Sequence, residues 1–188
     1  IVNCWVCELP NSIELIGGEN IVVKNCQLGA QPTGITCKVQ EVNKLSFINN
    51  QVYPDGRENL VLDACNNCVI EGNNFKSYYN GILVLNGNDN TVNKNIFWLT
   101  GAVQNQLLDH GDDFGIINVK GNNNMVASNS LSCEWAYAGA VTVNAVQGTG
   151  NVFKNCFVDN LESYRVFLVN AQTEVSNCVS SDKVSMVE

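Results

Sequence analysis

The sequence predicts an all-β solenoid: a single-stranded, right-handed parallel β-helix of about eight coils, filling residues 1–188 as one domain. Three observations carry this. Asparagine recurs at Asn50, Asn73, Asn95, Asn129, Asn155 and Asn177, and Cys4 and Cys26 hold the same place upstream. Two residues beyond it runs a second column, Val6, Leu28, Val52, Phe75, Phe97, Leu131, Phe157 and Val179, which never turns polar. The steps between columns are 22 to 26 residues, with one step of 34. A fixed period in the low twenties marks a solenoid. The L-x-x-L-x-L pattern of leucine-rich repeats is missing, and each unit holds short Val/Ile/Leu/Phe runs between Gly and Asn, which is strand-and-turn chemistry.

"IVNCWVCELP" already lies inside the repeat, and a β-helix needs a capped end, so the chain is expected to begin within a longer protein whose preceding part would hold any targeting signal. The strand before each polar turn then reads "SIELIGG", "GITCKVQ", "NLVLDAC", "GILVLNG", "GIINVKG", "AVTVNAV" and "RVFLVNA". Between them lie turns such as "NGNDN" and "GNNNM", where Asn accepts left-handed backbone and bonds nearby backbone groups. Stacked between coils, such residues form an amide ladder, so the Asn column is read as structural. The long step contains an insertion over 98–114, with Asp109, His110, Asp112 and Asp113; loops on one face of a solenoid are where function concentrates. No calcium-loop pattern fits it, and a loop folding over a neighbouring coil is expected.

Composition narrows the partners. Net charge is −8 with only 10 Lys and Arg, and no basic cluster occurs, which disfavours nucleic acid and anionic membranes. No apolar run approaches the length of a membrane span. Nine cysteines are an odd number. "CWVC" and "CNNC" lie too far apart for a zinc ribbon, so the cysteines are read as stacked core thiols, with no metal and no cofactor.

Strand side chains alternate faces. With Ile13, Ile35, Leu60, Ile82 and Ile116 inward, the outward column reads Glu14, Thr36, Val61, Leu83, Ile117, Thr142 and Phe167. An outer apolar stripe calls for a covering loop or a partner subunit. Glu14 is its exception, a carboxylate at the end of an apolar stripe and thus a candidate general acid or base.

"NSIELIGG", "NNQVYPDG", "YYNGILVLNGNDNTVNKNIF", "FGIINVKGNNNMVASNSLS" and "GTGNVFKNCFV" resemble, in order and spacing, the inulin fructotransferases, over roughly Asn3 to Asp159. The resemblance implies a right-handed β-helix assembled as a homotrimer, here through the outer apolar face. It implies sites between subunits, a fructan as substrate, and a bacterial secreted or cell-associated protein. It implies release of a difructose dianhydride from the end of a β-2,1-fructan, the terminal fructose's own hydroxyl attacking its neighbour's anomeric carbon.

That chemistry uses two carboxyl groups. The resemblance puts one at Glu14 and the other, an Asp in the family, at the place of Asn3. An amide cannot transfer that proton. Either the enzyme is weakened or differently acting, or the Asn traps substrate, or Glu8 serves instead; Asn25 and Asn49 hold Asn3's place in the next two coils. Tyr78 and Tyr79 fall where the family has an aromatic residue, and Arg57, Asp55 and Asp63 are expected sugar contacts. The alternatives are another β-helix polysaccharide lyase or hydrolase, and a non-catalytic carbohydrate-binding homologue.

Overall fold

A computed structural model describes residues 1–100, 114–133, 141–159, 165–180 and 185–187. The chain winds into three parallel sheets, each coil giving one strand to each in turn. Sheet I stacks eight strands, from Trp5–Leu9 and Gln27–Ala30 to Phe157–Asp159 and Val179–Ser180. Sheet II stacks eight, beginning Ile13–Glu19, Cys37–Asn43, Leu60–Asp63 and Leu83–Asn86. Sheet III stacks seven, from Val22–Lys24 to Glu174–Ser176. This is the parallel β-helix the repeat predicts, with no helix among the described residues.

The corner from sheet III to sheet I explains the period. It is two residues long in every described coil. Its first residue is left-handed throughout: Asn3, Asn25, Asn49, Gly72, Lys94, Ser128, Asn155 and Asn177 have φ between 52° and 67°. Asparagine suits this conformation, and glycine takes it freely. The second residue forms the ladder. Asn50, Asn73 and Asn95 each donate their backbone N–H and their Nδ2–H to the Oδ1 of the Asn one coil on, at 2.8–3.0 Å. Each also donates to a carbonyl of sheet III, as Asn95 does to Ile70 at 2.9 Å. A second buried ladder, Asn90–Asn124–Asn151, runs along the corner from sheet II to sheet III.

The register corrects the sequence reading at the far coils. Phe157 pairs with Ser130 and Val179 with Phe157. The ladder place after Asn129 therefore falls on Cys156 and Cys178, while Asn155 and Asn177 are the left-handed corner residues before them. The inward column passes instead through Val158, fully buried, to Ser180, and Phe157 and Val179 face solvent at 45% and 57% exposure. A one-residue slip exchanges the faces of a strand.

The outer apolar stripe on sheet II fails for the same reason. Ile13, Cys37, Leu60, Leu83, Ile117, Val143 and Phe167 align, and all are core residues. The outward column is Glu14, Lys38, Val61, Val84, Asn118, Asn144 and Leu168. The stripe through which a homotrimer was expected is therefore reduced to Val61, Val84 and Leu168, interrupted by Lys38, Asn118 and Asn144. Ile35 lies in the loop ahead of its strand, so Cys37 takes the inward place.

Inside, Phe75 and Phe97 of sheet I stack on successive coils, with centroids 5.1 Å apart and planes 1° apart, and Phe47 of sheet III stacks on Phe75 across the corner. Such pairs add about 0.5–1.5 kcal/mol each to the burial of their area. Cys26, Cys37, Cys65, Cys68 and Cys156 are buried thiols, as expected, but Cys4 is exposed and Cys7 and Cys178 are half-buried. The strand Ile96–Leu99 contains Trp98, so the insertion begins after it; Asp109, His110, Asp112 and Asp113 lie outside the described residues.

Candidate functional site

Coil length varies most on the edge between sheets I and II. There the connection is three residues after Leu9 and spans 100–116 after Leu99. The loops of this edge stack closely: the Arg57 N–H donates to the Gly34 carbonyl at 2.8 Å, and a Cβ on Gly34 would run into the Pro10 carbonyl. Most of the residues singled out from sequence fall here. Asp55 and Arg57 lie on the loop of the third coil, Asp55 exposed and Arg57 half-buried. Tyr78 and Tyr79, both half-buried, lie on the next, where the Tyr79 N–H donates to the Ser77 hydroxyl at 3.0 Å. Glu14 is the second residue of the sheet II strand that leaves the first of these loops.

Glu14 is not desolvated. It is 42% exposed and forms an ion pair with Lys38 of the next coil at 3.2 Å, in place of the apolar neighbours the stripe would have given. Asp63 projects from the same sheet face and accepts from the Asn86 amide at 2.7 Å. It stands two coils and two residues from Glu14 in the sheet register, about 12 Å between Cα atoms by strand spacing and rise. Glu19, outward on Glu14's own strand, is five residues along, about 16 Å. Glycosidic pairs stand about 5–10 Å apart at their carboxyls, and here each of these two carboxylates is held by a neighbour of its own, Asp63 by Asn86 and Glu19 by Lys44.

Asn3 sits at the opposite end of the strand Trp5–Leu9 from Glu14, with φ 57° in the repeated corner and its N–H on the Lys24 carbonyl at 3.0 Å. Its amide therefore fits the corner chemistry of Asn25 and Asn49.

Glu8 is different. The left-handed non-glycine residues of the described chain fall into three columns that recur from coil to coil, except Glu8, φ 64°. It occupies a bulge: Val6 pairs with Leu28 and Leu9 with Ala30, so between these pairs the first strand holds one residue more than the second. The break is bridged by Ser12, whose Oγ accepts from the Gly29 N–H at 3.1 Å and lies 3.0 Å from the Val6 carbonyl, within donating distance. Bulges re-aim side chains and cluster beside active sites, and isolated backbone irregularities favour functional positions. Glu8 is exposed, and its carbonyl accepts from the Gln31 amide at 3.1 Å. Sequence offered no sign of the bulge, since the stretch from Cys4 to Ser12 is shorter than its equivalent, Cys26 to Thr36, in the next coil.

No group of three or more metal-ligating side chains occurs among the described residues. No described helix is long and apolar enough to cross a membrane.

The model of the "right handed beta helix region" family matches residues 33–185. The chain belongs to the right-handed β-helix family. No curated protein matches it by sequence. Its fold superposes on crystal structures of a DFA-IIIase from Arthrobacter chlorophenolicus A6. Without its lid, that protein gives a TM-score of 0.79 at 18% identity, with 96% of this chain and 51% of that one covered. The lidless form in complex with GF2 gives 0.78 at 19%, covering 98% and 50%. A cysteine-to-alanine mutant in complex with DFA-III gives 0.77 at 16%, covering 98% and 53%. The chain spans about half the length of these structures, and at such identities the likeness is one of fold. It falls on the same group of proteins that the sequence resembles.

Proposed function

We propose that this β-helix belongs to a carbohydrate-active enzyme that releases a difructose dianhydride from the end of a β-2,1-fructan. The observation that carries the reading is the singular bulge at Glu8, across a three-residue corner from the outward carboxylate Glu14. The solved relatives bound to GF2 and DFA-III support an oligofructoside as ligand.

Glu14, ion-paired to Lys38, takes the role of carboxylate: it receives the proton of the attacking fructose hydroxyl or faces the oxocarbenium-like carbon. Glu8 takes the role that the resemblance gave to Asn3's position and donates a proton to the departing glycosidic oxygen. One C–O bond forms, one breaks, and no water is consumed. Tyr78 and Tyr79 offer ring faces to the furanose, and Arg57 and Asp55 hydrogen-bond its hydroxyls. Asp63 lies at the far side of the same face and contacts a more distant sugar.

The second reading is a sugar-binding scaffold without turnover, favoured by the engagement of Glu14 by Lys38 and of Asp63 by the Asn86 amide. Incubation with inulin, and separately with DFA-III, followed by chromatography separates the readings. A non-reducing difructose from inulin supports the transferase. Free fructose shows hydrolysis, and binding without product leaves the scaffold.

A further inference from the structure

The amide ladder stops at Asn129, and a pair of thiols continues its column. Cys156 and Cys178 occupy the next two places, on coils whose strands pair Phe157 with Val179 in parallel register. The Val179 N–H donates to the Cys156 carbonyl at 3.0 Å. In-register neighbours on adjacent strands stand about 4.8 Å apart at Cα, inside the about 4.4–6.8 Å that a disulfide spans. Each thiol donates to the carbonyl two residues before it, Cys156 to Lys154 and Cys178 to Ser176, both at 3.6 Å.

Their surroundings differ. Cys156 is 3% exposed. Cys178 is half-buried. The nearness of the two thiols brings Cys178 down to about 7 and pushes Cys156 up. The accessible sulfur is therefore the one that ionises, and the thiolate is the nucleophile in disulfide exchange.

Cys65 and Cys68 are both fully buried. Cys4 and Cys26 hold the same column at the other end of the stack, where Cys4 is exposed on the first coil.

We propose that Cys156 and Cys178 form a thiol–disulfide modification site, which a small-molecule disulfide converts to a covalent link between consecutive coils. The Cys178 thiolate attacks the reagent disulfide, forming a mixed disulfide and releasing one thiolate. Cys156 gives its proton to solvent and attacks the Cys178 sulfur, releasing the second thiolate. The protein loses two hydrogens, and the reagent is reduced to two thiols. The link fixes the strand Val179–Ser180 to Phe157–Asp159 in a column where no amide reaches across.

The test equilibrates the native protein with mixtures of oxidised and reduced glutathione, alkylates remaining thiols and digests with trypsin. Cleavage after Lys154, Arg165 and Lys183 places each cysteine alone in its peptide, 155–165 and 166–183. The expected product is these two peptides joined and lighter by two hydrogens, with loss of both free thiols. In Cys178→Ser, whose folding is checked by circular dichroism, the joined peptide disappears. Both peptides alkylated at the most oxidising poise overturn the proposal. So does glutathione retained on Cys178, or Cys156 joined to a different cysteine.

Discussion

The ladder assigns very different costs to two asparagines that look alike in sequence. Asn95→Ala removes four hydrogen bonds. Its Oδ1 accepts from the Asn73 N–H and Nδ2–H, and its Nδ2 donates to the Ile70 carbonyl and to the Asn129 Oδ1, all at 2.9–3.0 Å. Three partners keep another bond or a lone pair satisfied elsewhere, as Asn73 Nδ2 does on the Phe47 carbonyl and Asn129 Oδ1 on the Asn95 N–H. The Asn73 N–H is left buried with no acceptor. At about 1–3 kcal/mol for an orphaned group and about 1 kcal/mol for an ordinary bond, the loss comes to about 4 kcal/mol. Asn155→Ala removes no ladder bond and costs only the left-handed preference, about 1 kcal/mol; Asn155→Gly relieves even that. Urea denaturation followed by circular dichroism and by fluorescence measures all three. Equal costs for Asn95→Ala and Asn155→Ala, or an Asn95→Ala cost within about 1 kcal/mol of zero, would refute the ladder register.

Other contacts make their own demands. Gly121→Ala drives a Cβ into the Gly87 carbonyl of the preceding coil, a backbone obstacle that yields little; about 3 kcal/mol of destabilisation is expected, and an unchanged melting temperature would contradict the close stack. Glu14→Gln and Glu8→Gln are each expected to abolish dianhydride release while leaving the denaturation midpoint within error, since both side chains are exposed; Asn3→Asp, at the corner, is expected to leave turnover unchanged, and a large gain of activity would return the catalytic role to that position. Glu19 is held below the ordinary carboxylate range by its hydrogen bond to Lys44, then by the Lys44 charge, then by the Asn43 amide. A depressed folded-state value gives stabilisation that is present above the unfolded value and lost as pH falls through the folded one. Lys44→Ala therefore raises Glu19's titration midpoint in side-chain NMR, and an unmoved midpoint would show the pair to be unformed in solution.

The repeat was legible because its strictest corner uses residues with few substitutes. Asn50, Asn73, Asn95 and Asn129 are required by hydrogen bonds that only an amide can complete in both directions. Where cysteine ends the ladder at Cys156, the corner residue Asn155 offered a false match one place early, and the face of Phe157 was misread with it. The sheet II column was obscured by a different effect. On the second to seventh coils the residue before the inward position is also buried, as Thr36, Asn59, Ile82, Ile116, Thr142 and Val166 all are at 1% exposure or less. Two consecutive buried positions hide an alternation of two, so Leu83 and Ile117 passed for outward residues. Of the site's residues, Arg57 and Tyr78 were singled out by the family resemblance and Glu14 by its charge in an apolar column as well; the variable edge that carries the two loops is visible only once the strands are paired. Lys38 as the partner of Glu14, and Ser12 as the bridge across the bulge, depend on a register between coils that spacing alone left ambiguous.

The two-residue corner between sheets III and I has a wider consequence. Each turn of the chain is indexed afresh as it passes this point, so a length change elsewhere in a coil is cancelled before the next one begins. The step of 34 residues between Asn95 and Asn129 closes on the same pair of bonds, at 2.9 and 3.0 Å, as the step of 22 before it. The opposite edge is thereby free to gain or lose residues, and with them new contacts for a ligand, while the phase of the spiral stays constant.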